Sequence, residues 1–220
     1  MSGQPGGDVK SGAKPQGALG DSADALWEAA AGCAAGNPAL TQALAAVEKD
    51  FRLWAGRLLG EVDFNDFGST MHEKPHCLRV LLLALLEASL AGGGEALLHS
   101  LAAAAAFHDA RREDDDLDTG HGKRASLYYE RFCRERGFTP DAAASKTMAF
   151  HDLSDMIGFG AVAADGALPP HAAECLRFFK DADALDRYRF GASGLDPAYL
   201  RTPEARRLMP FAAAINGVRL

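Results

Sequence analysis

Cysteine is scarce in this chain and is not grouped in pairs. The 220 residues contain four cysteines, and no two of them form a C-x-x-C pair. Zinc knuckles and disulfide frameworks both depend on characteristic cysteine spacing, so neither is expected. We therefore expect reduced thiols, as in a cytosolic protein. The four positions are Cys33, Cys77, Cys133 and Cys175.

The chain also lacks an excess of positive charge. Its 23 Lys and Arg residues face 30 Asp and Glu residues, which gives a formal net charge of -7. A protein that binds a nucleic-acid backbone normally carries a basic face, so binding of that kind is not expected. The composition still permits a small phosphorylated substrate held by a few local arginines.

Long hydrophobic segments are missing as well. The N-terminus has no apolar stretch typical of a secretory signal. The most strongly apolar run, Val80 to Leu86, is far too short to span a bilayer. We expect a soluble, cytoplasmic protein without membrane contact, and the sequence does not indicate its oligomeric state.

No strand pattern or internal repeat is found, and helical periodicity prevails. Residues 1–20 are rich in Gly, Pro, Ser and Gln and are predicted to form a disordered tail. Residues 21–220 are predicted to form a single all-α domain. The main predicted helices cover about 39–59, 72–91, 95–109, 123–136, 142–152 and 170–186. A Gly-rich loop is predicted around Gly158, Gly160 and Gly166, and the C-terminal part is predicted to be interrupted at Pro197, Pro203 and Pro210.

The most informative stretch runs from Leu97 to Asp109. It is almost wholly apolar, contains five consecutive alanines, and ends abruptly in His108 and Asp109. A helix that is apolar all round belongs inside a bundle. Burying an imidazole and a carboxylate at the end of such a helix costs free energy unless both groups have polar partners. A divalent metal is one such partner, because it binds imidazole nitrogen and carboxylate oxygen together. The pair therefore predicts the centre of a metal site.

Two further ligands are expected from other helices. His76 lies early in the preceding helix, and a short Gly-rich connection makes that helix an antiparallel neighbour, so His76 and His108 should meet at one end. Asp183 lies on an apolar helix where isolated buried aspartates are rare. The alternatives are a satisfied core histidine at His76 and a solvated Asp183 paired with Arg187. His99 should face away from His108, and His171 is expected to be exposed.

The order His76…His108-Asp109…Asp183 resembles the H…HD…D signature of the HD-domain superfamily of metal-dependent phosphohydrolases. The segment at 76–80 is similar to the first-ligand helix H-x-x-R-V of that family, and the segment at 181–186 is similar to D-x-D-x-L-D, whose middle aspartate is the usual ligand. The resemblance covers roughly residues 68–200. It implies an HD-like helical bundle and a metal ligand set of His76, His108, Asp109 and Asp183.

Several other residues are candidates for a wider site. In some HD proteins, extra histidines at positions comparable to His121 and His151 hold a second metal or contact the substrate phosphate; the alternatives are a solvated loop and helix-end packing. His72, Arg112 and Lys123 are candidates for substrate binding, because imidazolium, guanidinium and ammonium groups match phosphate oxygens. Asp114 and Asp118 are candidates for general acid or base, and the sequence does not rank them. By default, the acidic run 114–116 is a solvated loop.

The hypothesis that follows is a phosphohydrolase that acts on a phosphomonoester or phosphodiester by attack of metal-bound hydroxide. The substrate would be a nucleotide or another small phosphorylated molecule, in a pocket shaped by the segments 64–70 and 155–168. Mixed histidine and carboxylate ligands suit Mn, Fe, Co, Ni, Zn or Mg, in one site or two. Two alternatives stay open: a di-iron oxygenase of HD type, and a ligand-sensing helical module without turnover.

Overall fold

The structure, a computed structural model, describes residues 23–65 and 73–220. Within these ranges the chain forms nine α-helices and two short 3₁₀-helices and contains no strand, so the predicted all-α bundle is confirmed. The predicted N-terminal tail and His72 lie outside the described residues. The α-helices are α1 (Ala23–Ala34), α2 (Pro38–Gly60), α3 (Lys74–Leu90), α4 (Glu95–Phe107), α5 (His121–Glu135), α6 (Ala142–Phe150), α7 (Asp155–Ala163), α8 (Ala172–Leu185) and α9 (Pro203–Ile215); the 3₁₀-helices are Asp186–Phe190 and Pro197–Tyr199.

Helices α3 and α4 form the centre of the bundle. Every residue of α3 from His76 to Ala88 is buried, and so is every residue of α4 from Ser100 to Phe107. Helix α4 packs against α2, α3, α6 and α8. The alanine run makes this possible, because small side chains let four neighbours approach one helix.

The connection between α3 and α4 brings the start of one helix to the end of the other. It is short, and Gly92 takes the positive φ of +76° that a non-glycine residue rarely adopts. At the far end, α4 stops at Phe107 and not at Asp109 as predicted, since the Ala110 N–H bonds to the Phe107 carbonyl and turns the chain. His108 and Asp109 therefore lie in a tight turn at the end of a buried helix.

Two predictions about glycine and proline are wrong. The segment predicted as a Gly-rich loop contains α7, because Gly158 packs where a Cβ would lie 3.2 Å from the Leu176 side chain, and the missing side chain allows close helix contact. Pro210 does not interrupt the last helix but lies inside α9 on its exposed side. The buried face of α9, which includes Leu208 and Phe211, stabilises the helix despite the lost hydrogen bond.

His171 is not exposed, contrary to the expectation from the sequence. Its side chain is half-buried, and its Nε2 lies 3.0 Å from the Ser100 hydroxyl. Among the described residues, no helix is long and apolar enough to cross a membrane.

Candidate metal centre

The ends of five helices converge on one group of histidines and aspartates. His76 lies in the first turn of α3, and Asp183 lies near the end of α8. The other four residues stand at helix boundaries, which is where a side chain can leave the apolar core without breaking a helix. They are His108 and Asp109 after α4, His121 at the start of α5, and His151 after α6.

One cluster consists of His76, His108 and Asp109. The two histidine Nε2 atoms lie 3.2 Å apart, and Asp109 Oδ2 lies 3.5 Å from His76 Nε2 and 3.7 Å from His108 Nε2. Asp183 stands beside this group, with Oδ1 3.4 Å from His76 Nε2 and its side chain 39% exposed. The structure thus brings together the four residues that the sequence analysis selected as ligands.

A second cluster consists of Asp109, His121 and His151. His121 Nε2 lies 3.1 Å from Asp109 Oδ1 and 3.0 Å from His151 Nε2. Asp109 therefore belongs to both clusters and directs one carboxylate oxygen towards each. In each cluster the candidate ligand atoms all lie within 4.8 Å of one another, and all the residues concerned are buried.

The Nδ1 atom of each of the four histidines faces an oxygen acceptor. His108 donates to the Ala105 carbonyl at 3.0 Å, His121 to the Asp118 carbonyl at 2.7 Å and His151 to the Met148 carbonyl at 2.8 Å. His76 bonds through Nδ1 to Asp186 Oδ2 at 2.7 Å. A carbonyl only accepts, so the proton resides on Nδ1 and the Nε2 lone pair points into the cluster. Metal-binding histidines typically show this arrangement.

The spacing of the ligand atoms fits a metal ion. Two ligand atoms that are each about 2.1 Å from one ion lie about 3.0–3.4 Å apart at octahedral or tetrahedral angles. The Nε2–Nε2 distances of 3.2 and 3.0 Å and the His121–Asp109 distance of 3.1 Å fall in this range. The buried His and Asp groups can therefore hold a metal ion, and the donor set leaves its identity open.

Charge and burial act differently on the four histidines. Burial would lower the pKa of His76 and of His121, but the carboxylates beside them outweigh it and raise both pKa values, so a metal ion at these two positions displaces a proton. Burial lowers the pKa of His108 to about 3, and burial with the nearby His121 lowers the pKa of His151, so both imidazoles are neutral at pH 7. Burial alone would raise the pKa of Asp109, but the surrounding imidazoles outweigh it and hold that pKa well below its usual range. Asp109 is therefore ionised.

Behind His76, Asp186 supports the ligand. This carboxylate is fully buried, accepts from Arg79 Nε at 2.6 Å and also lies 3.2 Å from the Asn216 amide nitrogen. Burial opposes its ionisation, but Arg79 and His76 outweigh burial and lower the pKa to about 2. A fixed anion on Nδ1 orients the His76 ring and raises the basicity of Nε2.

The second cluster depends on Gly122. A Cβ at this position would lie 2.3 Å from the Met148 carbonyl oxygen and 2.8 Å from His151 Nδ1. Only a residue without a side chain lets the start of α5 approach the end of α6 this closely. The glycine next to His121 in the sequence thus brings His121 against His151.

The predicted substrate-binding cations occupy different environments. Arg112 is buried and donates to the carbonyls of Asp114 and Asp116 at 3.2 and 2.7 Å, while Nη1 lies 3.3 Å from His121 Nδ1. It holds the loop 113–118 against the second cluster. Lys123 is exposed on α5.

The predicted acid–base candidates are bound within their own loop. Asp118 pairs with Arg124 at 2.5 Å and accepts from the Glu113 N–H at 2.7 Å, and these partners outweigh burial and lower its pKa. Asp114 is exposed, and its Oδ1 accepts a hydrogen bond from the Asp116 N–H at 2.9 Å. Both carboxylates therefore have structural partners that order the loop.

A cavity of about 280 Å³ opens onto the clusters. Six of its lining residues were not selected from the sequence as site residues: Asp116, Leu117, Thr119, Asp152, Arg187 and Arg189. Asp152 Oδ2 accepts from the Gly120 N–H at 2.6 Å, while its Oδ1 is buried without a hydrogen-bond partner. Arg187 Nε donates a hydrogen bond to the Gly194 carbonyl at 2.9 Å, whereas Asp183 Oδ1 lies near His76. In the sequence, only position marks three of the six as site candidates: Asp152 directly follows His151, and Arg187 and Arg189 lie shortly after Asp183.

No protein family, curated protein or solved structure matches this chain in the comparisons with known proteins.

Proposed function

We propose that this chain is a metal-dependent phosphohydrolase of HD type that acts on a small phosphorylated molecule. The observation that carries the proposal is the arrangement of the four histidines, whose Nδ1 atoms face oxygen acceptors while their Nε2 atoms converge on Asp109. A core histidine with a purely structural role has no need for its second nitrogen to face another imidazole. The buried clusters are compatible with an HD-like site.

The ligand order supports the HD assignment. In chain order the site residues read H, HD, H, H and D, which resembles HD proteins in general, including those that use this order to hold two irons. The six residues are His76, His108, Asp109, His121, His151 and Asp183. Asp109 is the shared ligand in this proposal, because its two oxygens face different clusters.

The bound metal would withdraw electron density from a phosphoryl group and lower the pKa of a coordinated water. The protein contributes positioning and charge. Asp109 and Asp183 supply negative ligands, and Arg112 adds positive charge within 3.8 Å of Asp109 Oδ1. The cavity of about 280 Å³ suits a small phosphorylated molecule, such as a nucleotide, and not a polymer.

The direct test combines metal analysis with an assay. The protein is purified after growth with Mn²⁺ or Fe²⁺, and its metal content is measured together with hydrolysis of nucleotides and p-nitrophenyl phosphate. We expect metal in the wild type and a fall in activity of at least about 1,000-fold in His108→Ala, since a ligand is lost. His99→Ala is the matched control, because His99 lies on the same helix and packs on Trp54 outside the clusters. Full activity in His108→Ala contradicts the proposal.

A di-iron oxygenase is the second candidate, favoured by the two clusters that share Asp109. It predicts iron in both clusters, an optical band that changes with oxygen, and little hydrolysis of phosphate esters; the optical band and the missing hydrolysis distinguish it from the hydrolase. A protein that binds no metal after growth in supplemented medium would instead indicate a ligand-sensing module.

A further inference from the structure

The rim of the cavity carries two arginines on the 3₁₀-helix Asp186–Phe190, directly after the last candidate ligand. Arg187 and Arg189 line the cavity together with Asp183 and both second-cluster histidines, His121 and His151. Arg187 is exposed. This wall therefore presents positive charge to whatever occupies the cavity.

Both arginines are held in place by an aromatic ring. Phe190 is 46% exposed, and its ring centre lies 4.2 Å from the Arg189 guanidinium carbon and 5.9 Å from that of Arg187. A cation over an aromatic face is attracted by the ring quadrupole. Phe190 thus orients two guanidinium groups at the cost of leaving a large apolar side chain in contact with water.

The following loop fixes Arg187 a second time. Arg187 Nε donates to the Gly194 carbonyl at 2.9 Å. Gly194 packs so closely that a Cβ there would lie 2.1 Å from the Arg187 carbonyl oxygen, and Gly191 takes a φ of +100° to close the turn. The Gly194 contact fixes the backbone of the turn, and the hydrogen bond from Nε holds the side chain of Arg187 against that turn.

Other lining residues are acidic, and their partners neutralise only part of this charge. Asp118 pairs with Arg124, and Asp152 accepts the Gly120 N–H. Arg112 is bound to loop carbonyls. An incoming anion therefore finds its most accessible positive charge at Arg187, with Arg189 beside it and close to Asp186.

We propose that Arg187, supported by Phe190 and Gly194, binds the phosphate group of the substrate and selects dianionic phosphomonoesters over monoanionic phosphodiesters. The proposal rests on the proposed hydrolase function and specifies its substrate class. A guanidinium can donate two parallel hydrogen bonds to a phosphate, and a terminal phosphate offers three oxygens and two negative charges where a diester offers two oxygens and one charge. Arg187 therefore contributes more to binding of the monoester.

Binding of inorganic phosphate is the first part of the test and does not depend on turnover. Calorimetric titration of phosphate into the metal-loaded wild type and into Arg187→Gln should show binding weakened by about 10- to 100-fold in the variant. The control is Arg177→Gln, because Arg177 is an exposed arginine on α8 that lies beside Phe159 and not in the cavity. Equal phosphate affinity in wild type and Arg187→Gln, or no phosphate binding by the wild type, overturns the proposal.

The second part compares two esters. For Arg187→Gln, kcat/KM for p-nitrophenyl phosphate should fall by about 10- to 100-fold, while kcat/KM for bis(p-nitrophenyl) phosphate should change by less than about threefold. Arg187→Lys should recover part of the monoester activity, and the metal content should not change. An equal loss on both esters overturns the selectivity. If the wild type hydrolyses neither ester, the hydrolase function fails, and the phosphate titration alone decides whether Arg187 binds the anion.

Discussion

His121 and His151 face each other through their Nε2 atoms at 3.0 Å, although each has its Nδ1 bonded to a backbone carbonyl. Burial would lower the pKa of His121, but its hydrogen bond to Asp109 outweighs burial and raises that pKa, so a proton on His121 Nε2 can bridge the pair when no metal is bound. A cation between the two Nε2 atoms would take the place of that proton. The pair is therefore the clearest indication of a metal ion in the second cluster.

Metal binding should stabilise the fold through these histidines. A ligand present at about 100 times its Kd stabilises the native state by about 2.7 kcal/mol, which raises Tm by about 5–10 °C in a domain of this size. We expect this increase with Mn²⁺ or Zn²⁺ by differential scanning fluorimetry. The double variant His121→Ala/His151→Ala should gain much less, and His99→Ala should gain as much as the wild type. An unchanged increase in the double variant would show that the second cluster does not contribute to metal binding.

Replacing Gly122 should damage the second cluster without removing any ligand. In Gly122→Ala the new methyl group would collide with the Met148 carbonyl oxygen at 2.3 Å. We expect a loss of about 1–3 kcal/mol in the free energy of unfolding and a lower metal stoichiometry. The control is Gly56→Ala on the exposed face of α2, where a Cβ would meet no atom within 4 Å; this change should stabilise the protein by about 0.5–1 kcal/mol. Similar urea curves for the two variants would contradict the packing argument.

Asp186 should matter for metal affinity although it is not a ligand. Asp186→Asn removes the buried charge that pairs with Arg79 and orients His76. Loss of such an outer partner typically weakens metal binding by about 10- to 100-fold, and an unpaired buried arginine costs about 3–5 kcal/mol of stability. Competition with a fluorescent chelator measures the affinity, with the exposed Asp196→Asn as control. Unchanged affinity in folded Asp186→Asn would show that His76 is oriented without it.

Away from the metal centre, Glu87 should make stability depend on pH. Burial, with Asp181 nearby, raises the pKa of Glu87 to about 9 from an ordinary 4.5, and one of its oxygens accepts from the Thr202 hydroxyl at 2.6 Å. Because the pKa of Glu87 is higher in the folded state than in the unfolded state, protonated Glu87 contributes fully to the free energy of unfolding below about pH 4.5. This contribution is lost as the pH rises towards 9.

Glu87→Gln keeps the neutral shape and removes this titration. Between about pH 6 and pH 8 the free energy of unfolding should fall by up to about 2.7 kcal/mol more in the wild type than in the variant. Urea unfolding at each pH measures this difference. Glu48→Gln, on the exposed part of α2, should follow the wild type. Parallel pH profiles for wild type and Glu87→Gln would show that Glu87 is ionised in the native state.

The sequence predicted the parts of this molecule that depend on local pattern. The apolar run that ends in His108 and Asp109 indicated a buried helix with ligands at its end, and the short turn around Gly92 placed His76 at the same end. These inferences needed only helical periodicity and loop length. The positions of His121 and His151 could be proposed only by resemblance, because their approach depends on Gly122 at a contact between two helices.

Other features depend on tertiary contacts that no local pattern expresses. Gly158 predicts a loop from sequence alone, but its contact with Leu176 depends on a helix distant in sequence. Pro210 predicts a helix end, but the buried face of α9 outweighs the lost hydrogen bond. Arg112 looked available for a phosphate, but the loop it holds uses its donors. Arg187 looked like a partner for Asp183, whereas the loop that closes at Gly194 turns it to the cavity rim.

Anomalous diffraction from crystals grown with Mn²⁺ tests the central claim most directly. The account predicts two peaks, one bound by His76, His108, Asp109 and Asp183 and the other by Asp109, His121 and His151, with the Asp109 carboxylate shared by both. A single surface peak, or no peak near Asp109 in crystals that diffract well and hold Mn²⁺ elsewhere, would contradict it.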